Sequence, residues 1–156
     1  MCTVISNGEQ SNIALDTFHM AQVVVMTRRP RILLIDDSQE FREALCTRLS
    51  SQGFDMRQAG SGQEGLEVVQ REPFDLVLLD MLMPDKDGVT TYQELRANPT
   101  SRQIPVILLT AVAVEGHWEP MPYETDGKAF IMGKPYDYKL LLARINQVLT
   151  EASGGL

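Results

Sequence analysis

Five short apolar runs punctuate the chain, and stretches of helical period separate most of them. Ile32–Ile35, Leu76–Leu79 and Pro105–Thr110 are continuous hydrophobic blocks with polar or turn-forming residues on both sides. Blocks of this length without alternation suit strands covered on both faces. Phe54–Gln58 is a weaker, edge-like candidate, and Ala129–Met132 is the fifth. After the first run, Phe41, Leu45 and Leu49 recur at i, i+4 and i+8, and Gly53 supplies a stop. Ser61-Gly62-Gln63-Glu64 has the capping-box form S-x-x-E and opens a second helix with Leu66 and Val69 inward. Gly88 to Arg96 reads as a third, turning Tyr92 and Leu95 to the core. Leu141, Ile145 and Val148 mark a closing amphipathic helix.

Alternating strands and helices of this kind predict an α/β fold with a five-stranded parallel sheet, doubly wound. Right-handed crossovers make the flavodoxin-like order 2-1-3-4-5 the natural arrangement. The helix expected after the fourth strand is the exception. Val112–Gly127 contains Gly116, Pro120 and Pro122, so a short or irregular fourth helix is expected there, with a loop carrying Trp118 and Tyr123. Residues 1–28 lack a period and read as an N-terminal extension, 29–151 as the folded domain, and 152–156 as a flexible tail.

Composition narrows the classes of function. The 156 residues are 44% hydrophobic and 22% charged, a globular balance, and the net charge of −7 disfavours direct nucleic-acid binding. Arg28, Arg29 and Arg31 form a small basic cluster, read as a solvated flank to the first strand. Cys2 and Cys46 have no metal-ligand or C-x-x-C spacing, which suits a reducing cytoplasm. No apolar stretch approaches the ~20 residues of a membrane span. His19 and His117 stand alone.

The chemistry lies where the strands end. Asp36-Asp37 follows the first strand and Asp80 ends the third, and the expected order sets these strands side by side at the topological switch point. Carboxylates crowded in this way repel unless something positive joins them. Hard oxygen ligands suit Mg²⁺. Lys134 after the fifth strand and Thr110 at the end of the fourth add an ammonium and a hydroxyl, the parts for phosphoryl transfer to a carboxylate. Taken singly, several of these groups have plainer roles. Asp37 or Ser38 is a candidate helix cap, Asp87 another, and Met81 and Met83 are expected to pack beneath the loop.

Asp36-Asp37, Asp80 with Met83-Pro84 and Asp87-Gly88, Thr110-Ala111 and Lys134-Pro135 together resemble the response-regulator receiver domain of two-component signalling, over about residues 30–150. The resemblance implies Asp80 as phosphoacceptor. It implies Mg²⁺ held by Asp37, Asp80 and the Leu82 carbonyl, with Asp36 acting largely through water. Thr110, the Ala111 backbone and Lys134 would hold phosphoryl oxygens. The implied donor is a histidine kinase or histidine phosphotransfer protein. Two positions depart from the pattern. Receivers usually carry an aromatic switch residue three positions before the lysine, where this chain has Ile131, with Phe130 one position earlier. Because neighbouring strand residues face opposite sides, Phe130 does not simply replace it. Leu82 and Val112, which would flank the path of attacking water, are both apolar, so a long-lived aspartyl phosphate is expected.

The resulting expectation is a phosphorylation-controlled signalling protein, not an enzyme beyond slow self-dephosphorylation. It would act on an unknown downstream protein through the face around the fourth and fifth strands, with no output domain of its own. An alternative is a constitutive interaction or scaffold receiver whose phospho-switch is weakened. A phosphohydrolase ranks last, because Leu82 stands where such enzymes place a second acid.

Overall fold

A computed structural model describes residues 28–110 and 128–154. The expectations placed on residues 111–127, including the irregular fourth helix, Ala111, Val112, His117, Trp118 and Tyr123, lie outside the described residues. So do Cys2, His19 and all of the expected extension except Arg28. In chain order the elements are β1 (Arg31–Ile35), α1 (Gln39–Ser51), β2 (Asp55–Ala59), α2 (Gly62–Arg71) and β3 (Leu76–Asp80), followed by α3 (Gly88–Ala97), β4 (Val106–Thr110), β5 (Ala129–Gly133) and α4 (Tyr138–Ser153). All neighbouring strands are parallel, and their order is β2-β1-β3-β4-β5, as the hydrophobic pattern predicts.

The sheet has a core on each side. Leu33, Ile35, Val77, Leu79, Val106 and Leu108 face α2 and α3, whereas Ile32, Leu34, Leu76, Leu78, Ile107 and Leu109 face α1 and α4. The three central strands are therefore apolar at consecutive positions, and alternation is lost because both faces are covered. Burying each such side chain stabilises the fold by roughly 1.5–3 kcal/mol. Of the expected inward residues of the helices, Leu45 and Leu49, Leu66 and Val69, Tyr92 and Leu95, Leu141, Ile145 and Val148 are buried there, and Phe41 is partly buried against the α1/α4 core.

Local signals fix the helix ends. Ser38 and Ser61 cap α1 and α2, accepting from the backbone N–H of Phe41 (3.3 Å) and Glu64 (3.2 Å). The capping box closes one residue early, because Glu64 Oε2 accepts from the Gly60 N–H at 2.6 Å and not from Ser61. Gly53 ends α1 at φ +96°, in the region that favours glycine. On α3, Arg96 stacks over Tyr92 and donates to the backbone carbonyls of Arg102, Ile104 and Lys128, at the starts of β4 and β5.

Three expectations need correction at the edges. The strand expected at Phe54–Gln58 runs from Asp55 to Ala59, and Phe54 instead packs in the α1/α4 core. The tail expected from residue 152 begins later, since Ala152 and Ser153 belong to the last turn of α4. The arginine cluster is a solvated flank only in part, since Arg28 and Arg29 are exposed but Arg31 is half-buried. Arg28 forms a bidentate pair with Asp75 (2.6 and 3.0 Å), and Arg31 bridges Asp55 and Glu72.

Candidate functional site

Parallel pairing of β1 with β3 sets Ile35 opposite Leu79, so Asp36 emerges beside Asp80. Carboxylate oxygens of Asp36, Asp37 and Asp80 all lie within 4.8 Å of one another. Asp36 and Asp80 are buried, whereas Asp37 is exposed. Asp36 is held by its backbone as well as its side chain. Its N–H donates to the Ala59 carbonyl, its own carbonyl accepts from Arg42 Nη1 (2.6 Å), and Oδ1 accepts from the Ser38 N–H (2.9 Å).

Lys134 enters from the far side of the sheet. Thr110 pairs with Gly133 across β4 and β5, and the next backbone N–H, that of Lys134, donates to the Thr110 carbonyl. From there the Lys134 ammonium reaches Asp36 Oδ2 at 2.8 Å and Asp80 Oδ1 at 3.2 Å. The ion pairs join segments 98 and 54 residues apart in the chain. Burial raises the Asp80 carboxyl above its ordinary pKa, and the neighbouring Asp36 adds to the effect. Lys134 and the Leu82 N–H pull it the other way.

The turn after Asp80 is set by Gly88. A Cβ there would lie 2.4 Å from the Asp80 carbonyl oxygen and 2.6 Å from Met81 Cα, so only glycine permits this approach. Met81 and Met83 are buried beneath the loop, as expected, while the Leu82 side chain is 57% exposed. Asp87 caps α3 by accepting from the Thr90 N–H at 2.6 Å, a contact that lowers its pKa. Thr110 is buried at the end of β4. Ile131 packs toward the α2/α3 core and Phe130 toward the α1/α4 core, where Arg144 lies 5.9 Å from its ring centroid. The two residues thus face opposite sides of β5, as the strand period requires. Cys46 is buried and its thiol is pushed up to about 11 by that burial, consistent with a packing role.

Sequence reasoning missed two aromatic residues at the site. The apolar period of α1 marks Phe41 only as a core position. Its ring centroid lies 4.4 Å from the Lys134 ammonium, and the Tyr136 ring meets it edge-on at 6.3 Å and 75°. Phe41 lies five residues after Asp36 and Tyr136 two after Lys134, and this nearness to the charged motifs was the available signal.

The family model for the response regulator receiver domain matches residues 32–146. The chain belongs to this receiver family. Among curated relatives, the transcriptional regulatory protein GltR of Pseudomonas aeruginosa is 36% identical over 121 residues, which are 78% of this chain and 49% of GltR. The probable transcriptional regulator ycf27 of Porphyridium aerugineum is 39% identical over 123 residues, again 78% of this chain and 49% of the relative. The receiver therefore spans about half the length of these two relatives. The structure of the receiver domain of sensor histidine kinase PA1611 from Pseudomonas aeruginosa, solved with magnesium in its active-site cleft, is similar in fold. Its TM-score is 0.66 at 24% identity, over 79% of this chain and 99% of that one. As a receiver domain of two-component signalling, the chain is a signalling module, and among its described residues no helix is long and apolar enough to cross a membrane.

Proposed function

We propose that the chain accepts a phosphoryl group on Asp80 from a phosphohistidine of a histidine kinase or phosphotransfer protein, with Mg²⁺ present. The observation that carries this reading is the Lys134 ammonium bonded at once to Asp36 and Asp80, in a crevice where three carboxylates converge within 4.8 Å. A donor set made only of hard oxygens fits Mg²⁺. Asp37, Asp80 and the Leu82 carbonyl would hold the ion, with Asp36 through water. When bound, it would supply charge neutralisation between carboxylate and phosphoryl oxygens.

In the transfer, an Asp80 carboxylate oxygen attacks phosphorus. The new O–P bond forms as the P–N bond to the donor imidazole breaks, and that electron pair returns to the ring. Lys134 is already in place beside the nucleophile, so its ammonium can follow charge onto a phosphoryl oxygen with little movement. Thr110 and the Ala111 backbone are assigned to the remaining phosphoryl oxygens from the motif.

Output is proposed to pass to a protein partner at the face around β4 and β5 in a reducing, cytoplasmic setting. Direct nucleic-acid contact is not part of the proposal, given the net charge of −7. One observation favours a second reading, a constitutive interaction module with a weakened switch. Ile131 occupies the usual aromatic position, and Phe130 is committed to the opposite face of β5.

Intact-mass measurement with Mg²⁺ and a small phosphodonor tests both. Addition of one phosphoryl group, abolished by Asp80→Asn and slowed by chelation of the metal, is expected. If no phosphate is taken up, the first reading fails. Uptake without any change in Trp118 fluorescence or partner affinity favours the second. Steady turnover of an organic phosphate would instead indicate a hydrolase.

A further inference from the structure

We propose that Phe41 is a positioning residue for phosphoryl acceptance at Asp80, its ring face holding the Lys134 ammonium where it reaches both buried carboxylates. This rests on the assignment of Asp80 as phosphoacceptor. A lysine side chain ends in a point charge on a flexible four-carbon stem, so contacts to two carboxylates alone leave it free to swing. The Phe41 ring supplies a third contact at 4.4 Å, within the range in which a π face attracts a cation. The ring is itself oriented, since Tyr136 meets it nearly perpendicular in an edge contact. Both sides of the ion pair are then served by one turn of helix. At the start of α1 the Ser38 N–H donates to the Asp36 carboxylate, while Phe41 faces the ammonium that this carboxylate binds. Lys134 is mostly enclosed, its side chain 22% exposed, so the contact is only partly screened by water.

The effect on chemistry is through Lys134. When the Asp80 oxygen bonds to phosphorus and the donor bond breaks, negative charge grows on the phosphoryl oxygens, and an ammonium held in place stabilises it without first being collected from solvent. Progressive fluorination of the Phe41 ring removes the negative face with little change in shape. Mono-, di- and trifluorinated phenylalanine at position 41 should slow phosphorylation by acetyl phosphate with Mg²⁺ stepwise, to a total of about two- to fivefold, with the melting temperature lowered by no more than a few degrees. In a Lys134→Met background the slower residual rate should not depend on fluorination. A flat series in the Lys134 protein, or an equal decline in both backgrounds, would overturn the proposal and leave the Asp80 assignment standing. Failure of the unsubstituted protein to gain a phosphoryl group would overturn both.

Discussion

Gly88→Ala tests whether the turn after Asp80 is as tightly built as its geometry implies. The added Cβ would stand 2.4 Å from the Asp80 carbonyl oxygen, about 1 Å inside the 3.4 Å at which ordinary contact begins. It would also stand 2.6 Å from Met81 Cα. Both obstacles are backbone, so neither can rotate away, and relief requires the start of α3 to separate from the end of β3. Overpacking of this kind costs about 1–3 kcal/mol. Alanine returns at most about 1 kcal/mol as a better helix former, and less at the first helical position. Two controls grade the result. At Gly65 the clash is with Ile35 Cδ1 and Cγ1 (2.3 and 2.9 Å), the outer part of a buried side chain, so a smaller loss is expected. At Gly133 nothing lies within 4 Å, and alanine should be neutral or stabilising by up to about 1 kcal/mol. Urea unfolding followed by circular dichroism reads the three midpoints at constant m. Because Gly88 abuts Asp80 itself, its variant should also take up phosphate more slowly, by up to about 100-fold for a displacement near 1 Å. If Gly88→Ala matches Gly133→Ala in both midpoint and rate, the wall yields freely and the reasoning is wrong.

Three other outcomes are expected. Burial raises the Asp80 pKa on folding, so stability falls as pH rises from the ordinary 3.8 through the folded value, and the penalty is complete above it. Asp80→Asn should therefore raise the urea midpoint at pH 7, with the gain fading in acid; an unchanged or lower midpoint at pH 7 contradicts this. Cys46, buried and with its thiol pushed up to about 11, should resist iodoacetamide at pH 8 in a Cys2→Ser background until the chain unfolds, whereas prompt labelling of the native protein would refute its enclosure. Leu82→Asn should speed loss of phosphate from Asp80 by offering attacking water a polar partner, and an unaltered lifetime in Mg²⁺ would remove Leu82 from that role.

The strands that position the site were legible because burial on both faces leaves its mark as unbroken apolar runs, and the ends of those runs carry Asp36, Asp80 and Thr110. The opposite facing of Phe130 and Ile131 was likewise readable, since a strand has a period of two. What escaped were roles that depend on distant partners. Arg31 looks like a surface charge until β2 and the end of α2 bring Asp55 and Glu72 to it, 24 and 41 residues along the chain. Phe41 fits the apolar period of α1 so well that nothing local distinguishes a core residue from one facing an ammonium 93 positions later. Helical period reports which face is inward but not what waits there.

Arg96 and Gly88 sit at opposite ends of α3, and their contacts bear on how that helix can respond to events at Asp80. At its start the helix is pressed against the backbone of Asp80 and Met81. At its end one guanidinium grips three carbonyls at the entry to β4 and β5. The helix is in effect a strut clamped across the full height of the sheet. Displacing its start from Asp80 opens the close contact at Gly88, and displacing its end breaks the Arg96 hydrogen bonds to the strand entries.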